Sequence, residues 1–480
     1  MSSLRPYPKY QKANLSWAGS VPAHWDVRRT KYVLQERNQK GFPDEPLLAA
    51  TQTRGVIRKS DFETRTVVAS KDLHLLKLVC VNDFVISLRS FQGGIEYARH
   101  RGIISPAYTI LRPTNPHHHG YLAWLFKAAP YLSNLTLHVT GIRQVQNIDY
   151  SGLSRSSLPV PPLDEQTAIV RFLDHVDRKI RRFIQAKRRL IELLQEEKQT
   201  LIEQRVTRGM SASHTLSATN AACLDMIPAS WRLTRLRSIV RRIDQGVSPQ
   251  AESRKAEDAG SWGVLKSGCV NHGVFRDTEH KRLPDGFRID PRIVVNVGDL
   301  LVSRACGSPK LVGSTGRVAS LRYRLILSDK TFRLILKEQE LAEFILLAMN
   351  SRYYRTQVEQ AISGAEGLAN NLPLSSLRDM WFAIPPIEEA AEIVASAGLE
   401  TSQIESTIVS TRQQIDLLME YRNRLLADVV TGKLDVREAA ERLPLELDEF
   451  ETGGEPLDYE DTEELDDETS ELVSASADED

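Results

Sequence analysis

The sequence contains few cysteines and no long apolar run. Its four cysteines, Cys80, Cys223, Cys269 and Cys306, are too widely spaced for a CxxC motif or a disulfide framework, so we expect reduced thiols in a cytoplasm. No stretch approaches the roughly 20 apolar residues of a membrane-spanning helix. The first residues also lack the apolar core of a signal peptide. These absences predict a protein without a membrane or export segment.

Motifs that carry catalysis are also missing. The sequence has neither the GxxxxGK(S/T) phosphate loop nor the (Asp/Asn)-Pro-Pro-aromatic motif of amino-methyltransferases. Pro43-Asp44 and Pro284-Asp285 lack the second element of a nuclease site, and Asn271-His272 lacks the flanking residues of an HNH site. For His117-His118-His119 a solvated loop is favoured over a metal site, because no Cys or carboxylate stands at ligand spacing. We predict no catalytic residue, no metal site and no cofactor in this chain.

Charge is distributed unevenly along the chain. The net charge is −1, but residues 445–480 contain 17 Asp or Glu and no Lys or Arg. The remainder carries 62 basic and 63 − 17 = 46 acidic residues, a net charge of +16. A basic body of this kind suits a polyanion such as nucleic acid, although charge that only keeps the protein in solution is the alternative. We predict that residues 439–480 form an acidic disordered tail.

Residues 161–207 and 385–431 are two copies of one unit. At an offset of 224 residues, 15 of the 47 aligned positions are identical. Both copies open with Pro-Pro and continue with apolar residues spaced three and four apart, which predicts a coiled-coil helix within 161–210 and another within 385–438. The predicted seam positions are Ile169, Leu173, Val176, Ile180, Phe183, Ile184, Leu190, Ile191, Leu194 and Leu201 in the first copy, and Ile404, Ile408, Thr411, Ile415, Leu418, Leu425 and Val429 in the second.

Helices of this length need a long partner. About 44 residues at 1.5 Å each make a helix of roughly 65 Å, more than one small domain can cover. The other copy in the same chain is the favoured partner, because tandem copies related by a local two-fold axis pair antiparallel. A homodimer is the alternative. Internal pairing predicts that the domains preceding the helices lie at opposite ends of the pair.

Residues 1–160 and 215–384 form two diverged copies of a domain. Pro22-Ala23-His24-Trp25 resembles Pro228-Ala229-Ser230-Trp231, and Asp83–Ser87 resembles Asp299–Ser303. Short β-branched runs between Gly, Asn and Pro turns predict strands, and two longer stretches predict helices, so each domain is mixed α/β. The predicted strands include Val67–Ala69, Phe84–Leu88, Tyr108–Leu111, Ile293–Val295, Leu300–Ser303 and Thr331–Ile335, and the predicted helices are Tyr121–Ala129 and Leu341–Ile362.

Several of these segments resemble one known family. Pro161-Pro162-Leu163-Asp164-Glu165-Gln166 resembles the Pro-Pro-x-x-Glu-Gln hallmark of the DNA sequence-specificity (S) subunits of type I restriction-modification enzymes. Gly102–Tyr108, Arg304–Gly313 and Tyr421–Val436 resemble further signatures of that family, while the second helix copy has Ala390 in place of the Gln. The resemblance implies two pseudo-symmetric mixed α/β target-recognition domains separated by two long helices that form an antiparallel coiled coil.

The resemblance also implies a function. A specificity subunit of this family is non-catalytic and reads an asymmetric bipartite sequence in double-stranded DNA. Its helices would dock two modification (methyltransferase) subunits, and these would recruit two restriction (helicase-nuclease) subunits. S-adenosylmethionine, ATP and Mg would then belong to the partners.

Polar and basic side chains near the Gly-rich loops are the candidates for contacts with phosphates and base edges. For any single one of them, ordinary solvation in a loop is the alternative. The predicted DNA-binding residues are Gln52, Thr53, Arg54, Ser87, Arg89, Gln92 and Tyr108 in the first domain, and Gln245, Ser248, Gln250, Lys266, Ser267, Arg304 and Lys310 in the second.

Three other interpretations remain open at this stage. The chain could be a nuclease or methyltransferase whose motifs have diverged beyond recognition. It could be an architectural coiled-coil protein whose domains contact other proteins. It could also be the recognition subunit of a system in which the nuclease and methylase are fused.

Overall fold

A computed structural model describes most of the chain before residue 445. The described residues are 4–15, 17–51, 54–61, 72–86, 95–114, 119–135, 139–140, 147–148, 150–210, 215–252, 254–256, 260–271, 273–362 and 370–444. The chain divides into two compact units, the first comprising Met1–Arg188 with Arg412–Asp480 and the second Arg189–Thr411. The predicted strand Val67–Ala69 and residues 445–480 of the predicted disordered tail 439–480 lie outside the described residues, whereas residues 439–441 belong to the helix Arg437–Glu441.

The α/β part of the first unit is built from short strands. These strands are Tyr10–Leu15, Ala18–Pro22, Asp26–Arg29, Leu34–Arg37, Leu48–Thr51, Gly55–Arg58, Lys77–Val79, Phe84–Ile86, Glu96–Tyr97, Gly102–Ile104, Thr109–Pro113, Val139–Thr140, Asn147–Ile148 and Ser157–Val160. Its short helices are Thr30–Val33, His119–Leu125, Ala129–Leu135, Tyr150–Arg155 and Arg437–Glu441, with 3-10 turns at Lys59–Asp61 and Leu73–Leu75. Its largest described sheet is antiparallel, in the order Leu34–Arg37, Thr109–Pro113, Phe84–Ile86 and Glu96–Tyr97.

The α/β part of the second unit is also built from short strands. They are Leu216–Ala218, Met226–Pro228, Arg232–Arg235, Val240–Gln245, Trp262–Leu265, Val270–Asn271, Val274–Phe275, His280–Arg282, Leu300–Ser303, Ala305–Cys306, Thr315–Arg317, Arg324–Ile326, Thr331–Leu336, Asn370–Asn371 and Trp381–Ile384. Its short helices are Leu236–Ile239, Ala342–Ala348, Arg352–Ala361 and Leu374–Asp379, with 3-10 turns at Ser267–Cys269, Pro291–Ile293, Pro309–Leu311 and Gln339–Leu341. A six-stranded sheet begins with Val240–Gln245, Thr331–Leu336 and Leu300–Ser303, and a three-stranded sheet centres on Trp262–Leu265.

The two domains share a central arrangement of three strands. In the first unit Thr109–Pro113 lies between Leu34–Arg37 and Phe84–Ile86, and Leu111 pairs with Phe84. In the second unit Thr331–Leu336 lies between Val240–Gln245 and Leu300–Ser303, and Leu334 pairs with Leu300. The short sequence echoes therefore fall at equivalent positions of equivalent sheets.

Both long helices begin directly after a Pro-Pro pair. The first spans Leu163–Arg208 and the second spans Ile387–Val430. Proline favours this position, because the first helical residues have no intrahelical acceptor for an N–H and the ring presets a helical φ. The strand before each helix pairs antiparallel with the strand that follows the shared tryptophan, Ser157–Val160 with Asp26–Arg29 and Trp381–Ile384 with Arg232–Arg235.

Within each unit, segments of the two long helices run antiparallel. In the first unit Asp177 forms an ion pair with Arg422, and Lys187 Nζ donates to Gln414 Oε1 at 2.5 Å. In the second unit Lys198 forms an ion pair with Glu405, and Arg205 Nη2 lies 2.7 Å from Glu400 Oε1. Residue numbers fall along one helix as they rise along the other, so the predicted antiparallel pairing is confirmed.

Burial along the helices agrees with most of the predicted seam. Six seam residues are buried, with exposed fractions between 2% and 9%: Ile180, Ile184, Ile191, Ile408, Ile415 and Leu425. Leu194, Leu201, Ile404 and Leu418 are half-buried. The prediction was wrong for two residues, Phe183 at 50% and Leu190 at 42% exposed. Each precedes a buried isoleucine by one position, which turns it about 100° away from the seam.

Two predicted helices are interrupted and one predicted strand is absent. The stretch Leu341–Ile362 contains Ala342–Ala348 and Arg352–Ala361, because Ser351 Oγ accepts from Tyr354 N at 3.5 Å and caps a new helix. Likewise, His119–Leu125 ends before Ala129–Leu135 begins. The expected strand Ile293–Val295 instead begins as the 3-10 turn Pro291–Ile293, whose first turn is capped by the Asp290 side chain.

The described helices were also compared with the requirements of a membrane span. None of them combines enough length with enough apolar character to cross a bilayer.

Candidate nucleic-acid interface

Predicted site residues of the second domain meet around one open concavity, here called the Asp329 pocket. Ser248, Lys266 and Ser267 line it, together with Lys281, Asp329 and Lys330, which sequence reasoning did not select. Its volume is about 320 Å³. The full lining is Val247, Ser248, Pro249, Ala251, Val264, Leu265, Lys266, Ser267, Lys281, Ser328, Asp329 and Lys330. The pocket therefore combines an apolar floor with hydroxyl, carboxylate and ammonium groups.

The wall formed by residues 327–330 is held by backbone hydrogen bonds to residues 246 and 247. Gly246 N donates to Ser328 O at 3.2 Å, Val247 N donates to Leu327 O at 3.3 Å, and Asp329 N donates to Val247 O at 3.1 Å. A Cβ on Gly246 would lie 1.9 Å from Leu327 O. Only glycine permits this approach, so the Gln245-Gly246 turn fixes the shape of the pocket.

Two side chains predicted to contact DNA, Gln245 and Arg304, donate hydrogen bonds to the Asp329 backbone. Gln245 Nε2 and Arg304 Nη1 each donate to Asp329 O at 2.9 Å. Arg304 N also donates to Lys330 O at 2.8 Å. The half-buried Arg304 guanidinium lies 5.9 Å from the centre of the Phe332 ring. Gln245 and Arg304 are thus placed to position the turn 328–330.

The charged groups at the pocket differ in how they are paired. Lys266 Nζ lies 3.8 Å from Glu279 Oε2. Among the described residues, the side-chain ammonium groups of Lys281 and Lys330 and the carboxylate of Asp329 have no hydrogen-bond or ion-pair partner. Three charged groups therefore remain available to a ligand in the part of the chain that the structure describes.

A buried ion-pair network lies in the sheet next to the pocket. Arg333, which is 5% exposed, contacts Asp244 at 2.7 Å and Asp299 at 3.1 Å. Burial by itself would raise the pKa of Asp244, but hydrogen bonds from Arg242 and Arg333 hold that pKa below its ordinary value. Asp244 stays ionised near neutral pH, and the strand that carries Gln245 is anchored to its neighbour.

The remaining predicted residues of the second domain lie outside this lining. Gln250 is exposed between Pro249 and Ala251, which do line the pocket. Lys310 is exposed on the turn Pro309–Leu311, and its carbonyl oxygen accepts from Arg355 Nη1 at 3.2 Å. The structure thus places Lys310 on a second loop of the same domain.

Fewer of the first domain's predicted residues can be located. Gln52, Thr53, Ser87, Arg89 and Gln92 lie outside the described residues. Arg54 lies between the paired strands Leu48–Thr51 and Gly55–Arg58, where Arg54 N donates to Thr51 Oγ1 at 3.0 Å. Tyr108 is 7% exposed and belongs to the core cluster that includes Val79 and Ile110. Its burial favours a packing role, and no observation tests a base contact.

The sequence contains a weak sign that Asp329 and Lys330, which sequence reasoning did not select, occupy a specialised position. Leu327-Ser328 matches Ile104-Ser105, but the two positions that follow carry Asp329 and Lys330 in one domain and Pro106 and Ala107 in the other. Strand register supports this alignment, because Leu111 pairs with Phe84 as Leu334 pairs with Leu300. This sign is the change from the apolar pair Pro106-Ala107 in the first domain to the charged pair Asp329-Lys330 in the second.

Comparisons with known proteins were made on sequence and on structure. No protein-family model matches the chain. The type I restriction enzyme EcoEI specificity subunit of Escherichia coli is 30% identical over 35% of this chain, a match that spans only 29% of that relative's length. The type I restriction enzyme EcoKI specificity subunit of Escherichia coli (strain K12) is 23% identical over 70% of this chain and 74% of its own. The chain is therefore similar in sequence to specificity subunits of type I restriction enzymes.

One solved structure supports the fold. The matching chain belongs to a solved structure described as the structural basis underlying complex assembly and conformational transition of the type I R-M system. It aligns with a TM-score of 0.61 at 17% identity and covers 86% of this chain and 99% of its own. The predicted fold class, two mixed α/β domains with a coiled coil of two long helices, is confirmed.

Proposed function

We propose that this chain is the specificity subunit of a type I restriction-modification enzyme and reads an asymmetric bipartite sequence in double-stranded DNA, one half-site with each domain. The observation that carries the proposal is the Asp329 pocket, where residues from four separate segments form one polar, positively charged concavity in the second domain. Charged and hydroxyl side chains of this kind contact phosphates and base edges. The net charge of +16 on residues 1–444 favours the same ligand.

The two half-sites should differ in sequence. The domains share their central strands, yet Pro106 and Ala107 occupy the positions of Asp329 and Lys330. Proline and alanine side chains cannot donate or accept hydrogen bonds, so the two domains present different chemistry from equivalent positions. An asymmetric target follows from this difference.

We further propose that the long helices dock two modification subunits, which recruit two restriction subunits. Leu193 and Leu417 occupy equivalent positions in the two helix copies and are 46% and 63% exposed. Exposed apolar residues grouped on a helix mark an interaction surface, and equivalent positions provide one surface for each copy of a partner. On this proposal S-adenosylmethionine, ATP and Mg bind to the partners, and this chain contributes no catalytic residue.

Methylation mapping of the complete complex tests the proposal. The chain is co-expressed with the modification and restriction subunits in a host that lacks other methyltransferases, and methylated bases are mapped across the genome. We expect one sequence motif with two unlike halves separated by a spacer of fixed length. A continuous motif, two identical halves, or methylation by the partners without this chain would contradict the proposal.

A further inference from the structure

The turn 328–330 carries two charged side chains on a fixed backbone. Hydrogen bonds hold its backbone at several points. Gly246 N donates to Ser328 O, and Asp329 N donates to Val247 O. The side chains of Gln245 and Arg304 both donate to Asp329 O. Every one of these bonds uses backbone atoms of the turn. The side chains of Asp329 and Lys330 take no part in them, so the turn is fixed while two opposite charges stay available.

The available groups match the edge of one kind of base pair. In the major groove cytosine presents the N4 amino group as a donor, and guanine presents N7 and O6 as acceptors. A carboxylate accepts from cytosine N4, and a lysine ammonium donates to guanine O6 and N7. An acceptor and a donor on adjacent residues of one fixed turn therefore complement both members of a single C·G pair.

We propose that Asp329 and Lys330 are specificity-determining residues that read one C·G pair in the half-site of the second domain. Asp329 accepts a hydrogen bond from cytosine N4, and Lys330 donates to the guanine of the same pair. Gln245 and Arg304 act as positioning residues, because their donors hold the Asp329 carbonyl at 2.9 Å. This inference deepens the proposed function and rests on it.

A phosphate clamp is the competing interpretation of the same pocket. Lys266, Lys281 and Lys330 all line it, and three lysines would also attract a DNA phosphate. The Asp329 carboxylate argues against that ligand, because a negative charge in the lining repels a phosphate. The two interpretations predict opposite effects of neutralising Asp329, and this difference makes the test sharp.

The test measures binding of the complete complex to duplexes in which each base pair of the target is replaced in turn. We expect Asp329→Asn and Lys330→Gln to lower the preference for one C·G pair by about 5- to 150-fold and to leave the preferences at other positions unchanged. Asp225→Asn and Lys337→Gln are the matched controls, because both residues are exposed in the same unit and lie outside the pocket lining. The controls should keep the wild-type preferences.

Three results would overturn the inference. Tighter binding of Asp329→Asn to every duplex would assign the pocket to a phosphate. A uniform loss of affinity across all duplexes would assign Asp329 a structural role. Unchanged preferences at every position would remove both residues from base recognition. A wild-type complex without any sequence preference would instead contradict the proposed function itself, so the two failures are distinguishable.

Discussion

Trp25 Nε1 donates a hydrogen bond to Glu165 Oε1 at 2.9 Å, which joins the two sequence motifs that define the first unit. Trp25 ends the Pro-Ala-x-Trp motif of the domain, and Glu165 belongs to the Pro-Pro-x-x-Glu-Gln motif of the long helix. His24 Nε2 lies 2.7 Å from the other carboxylate oxygen, and Tyr7 Oη donates to Glu165 Oε1 at 2.5 Å. Burial and the bond to Glu165 raise the pKa of Tyr7, so its hydroxyl stays protonated and donating.

This cluster predicts a large stability loss when Glu165 is removed. Glu165 is 2% exposed, and Glu165→Ala would leave the buried Trp25 and Tyr7 donors without their acceptor. We expect a loss of about 3–5 kcal/mol in the free energy of unfolding, measured by urea denaturation. Glu165→Gln keeps one acceptor oxygen and should cost less than Glu165→Ala. Equal stability of the wild type and both variants would contradict the anchoring role.

A second prediction concerns how the contribution of Asp244 to stability depends on pH. Because its folded pKa is depressed, the Asp244 carboxylate stabilises the second unit above its unfolded pKa of about 3.9, and this contribution is lost as pH falls through the folded value. Asp244→Asn should therefore cost about 1.5–3 kcal/mol at pH 7, where the ion pair with Arg333 is present. The cost should shrink below about pH 4. A pH-independent difference between variant and wild type would refute the assignment.

The docking surfaces predict a change in stoichiometry. Leu193→Ser and Leu417→Ser replace exposed apolar side chains, so each should change the free energy of unfolding by less than about 0.5 kcal/mol. Each single variant should bind one modification subunit fewer, and the double variant should bind none, as measured by native mass spectrometry. Glu196→Ser and Gln403→Ser, at exposed polar positions of the same helices, are the controls. Full occupancy of the double variant would place the docking surface elsewhere.

Arg304 supplies a prediction that separates positioning from direct contact. Arg304→Ala removes the bond that holds the Asp329 carbonyl, and it should cost about 1–3 kcal/mol in binding the preferred sequence while relaxing one base position. Arg304→Lys keeps a donor and should restore part of the preference at that position. If Arg304→Ala relaxed a different base pair from Asp329→Asn, Arg304 would be reading a base of its own.

Sequence periodicity was sufficient to locate the long helices and most of their seam, because the repeat of Ile180, Ile184 and Ile191 confines burial to one face. It could not exclude Phe183 from the seam, because Phe183 and Ile184 are both apolar and the spacing of three and four residues fits either of them. The roles of Gln245 and Arg304 were also out of reach. Their donors are taken by a carbonyl oxygen 84 and 25 residues away in sequence, and no local pattern indicates such a contact.

The most direct test of the account lengthens the helices. Lys198 and Glu405 form an ion pair, so inserting four residues after each of them adds about 6 Å to both helices at matched positions. We predict that methylation mapping will find the same two half-sites with a spacer longer by about one or two base pairs, at roughly 3.4 Å per base pair. We propose that the helices set the distance between the half-sites, and an unchanged spacer in an active complex would contradict this proposal.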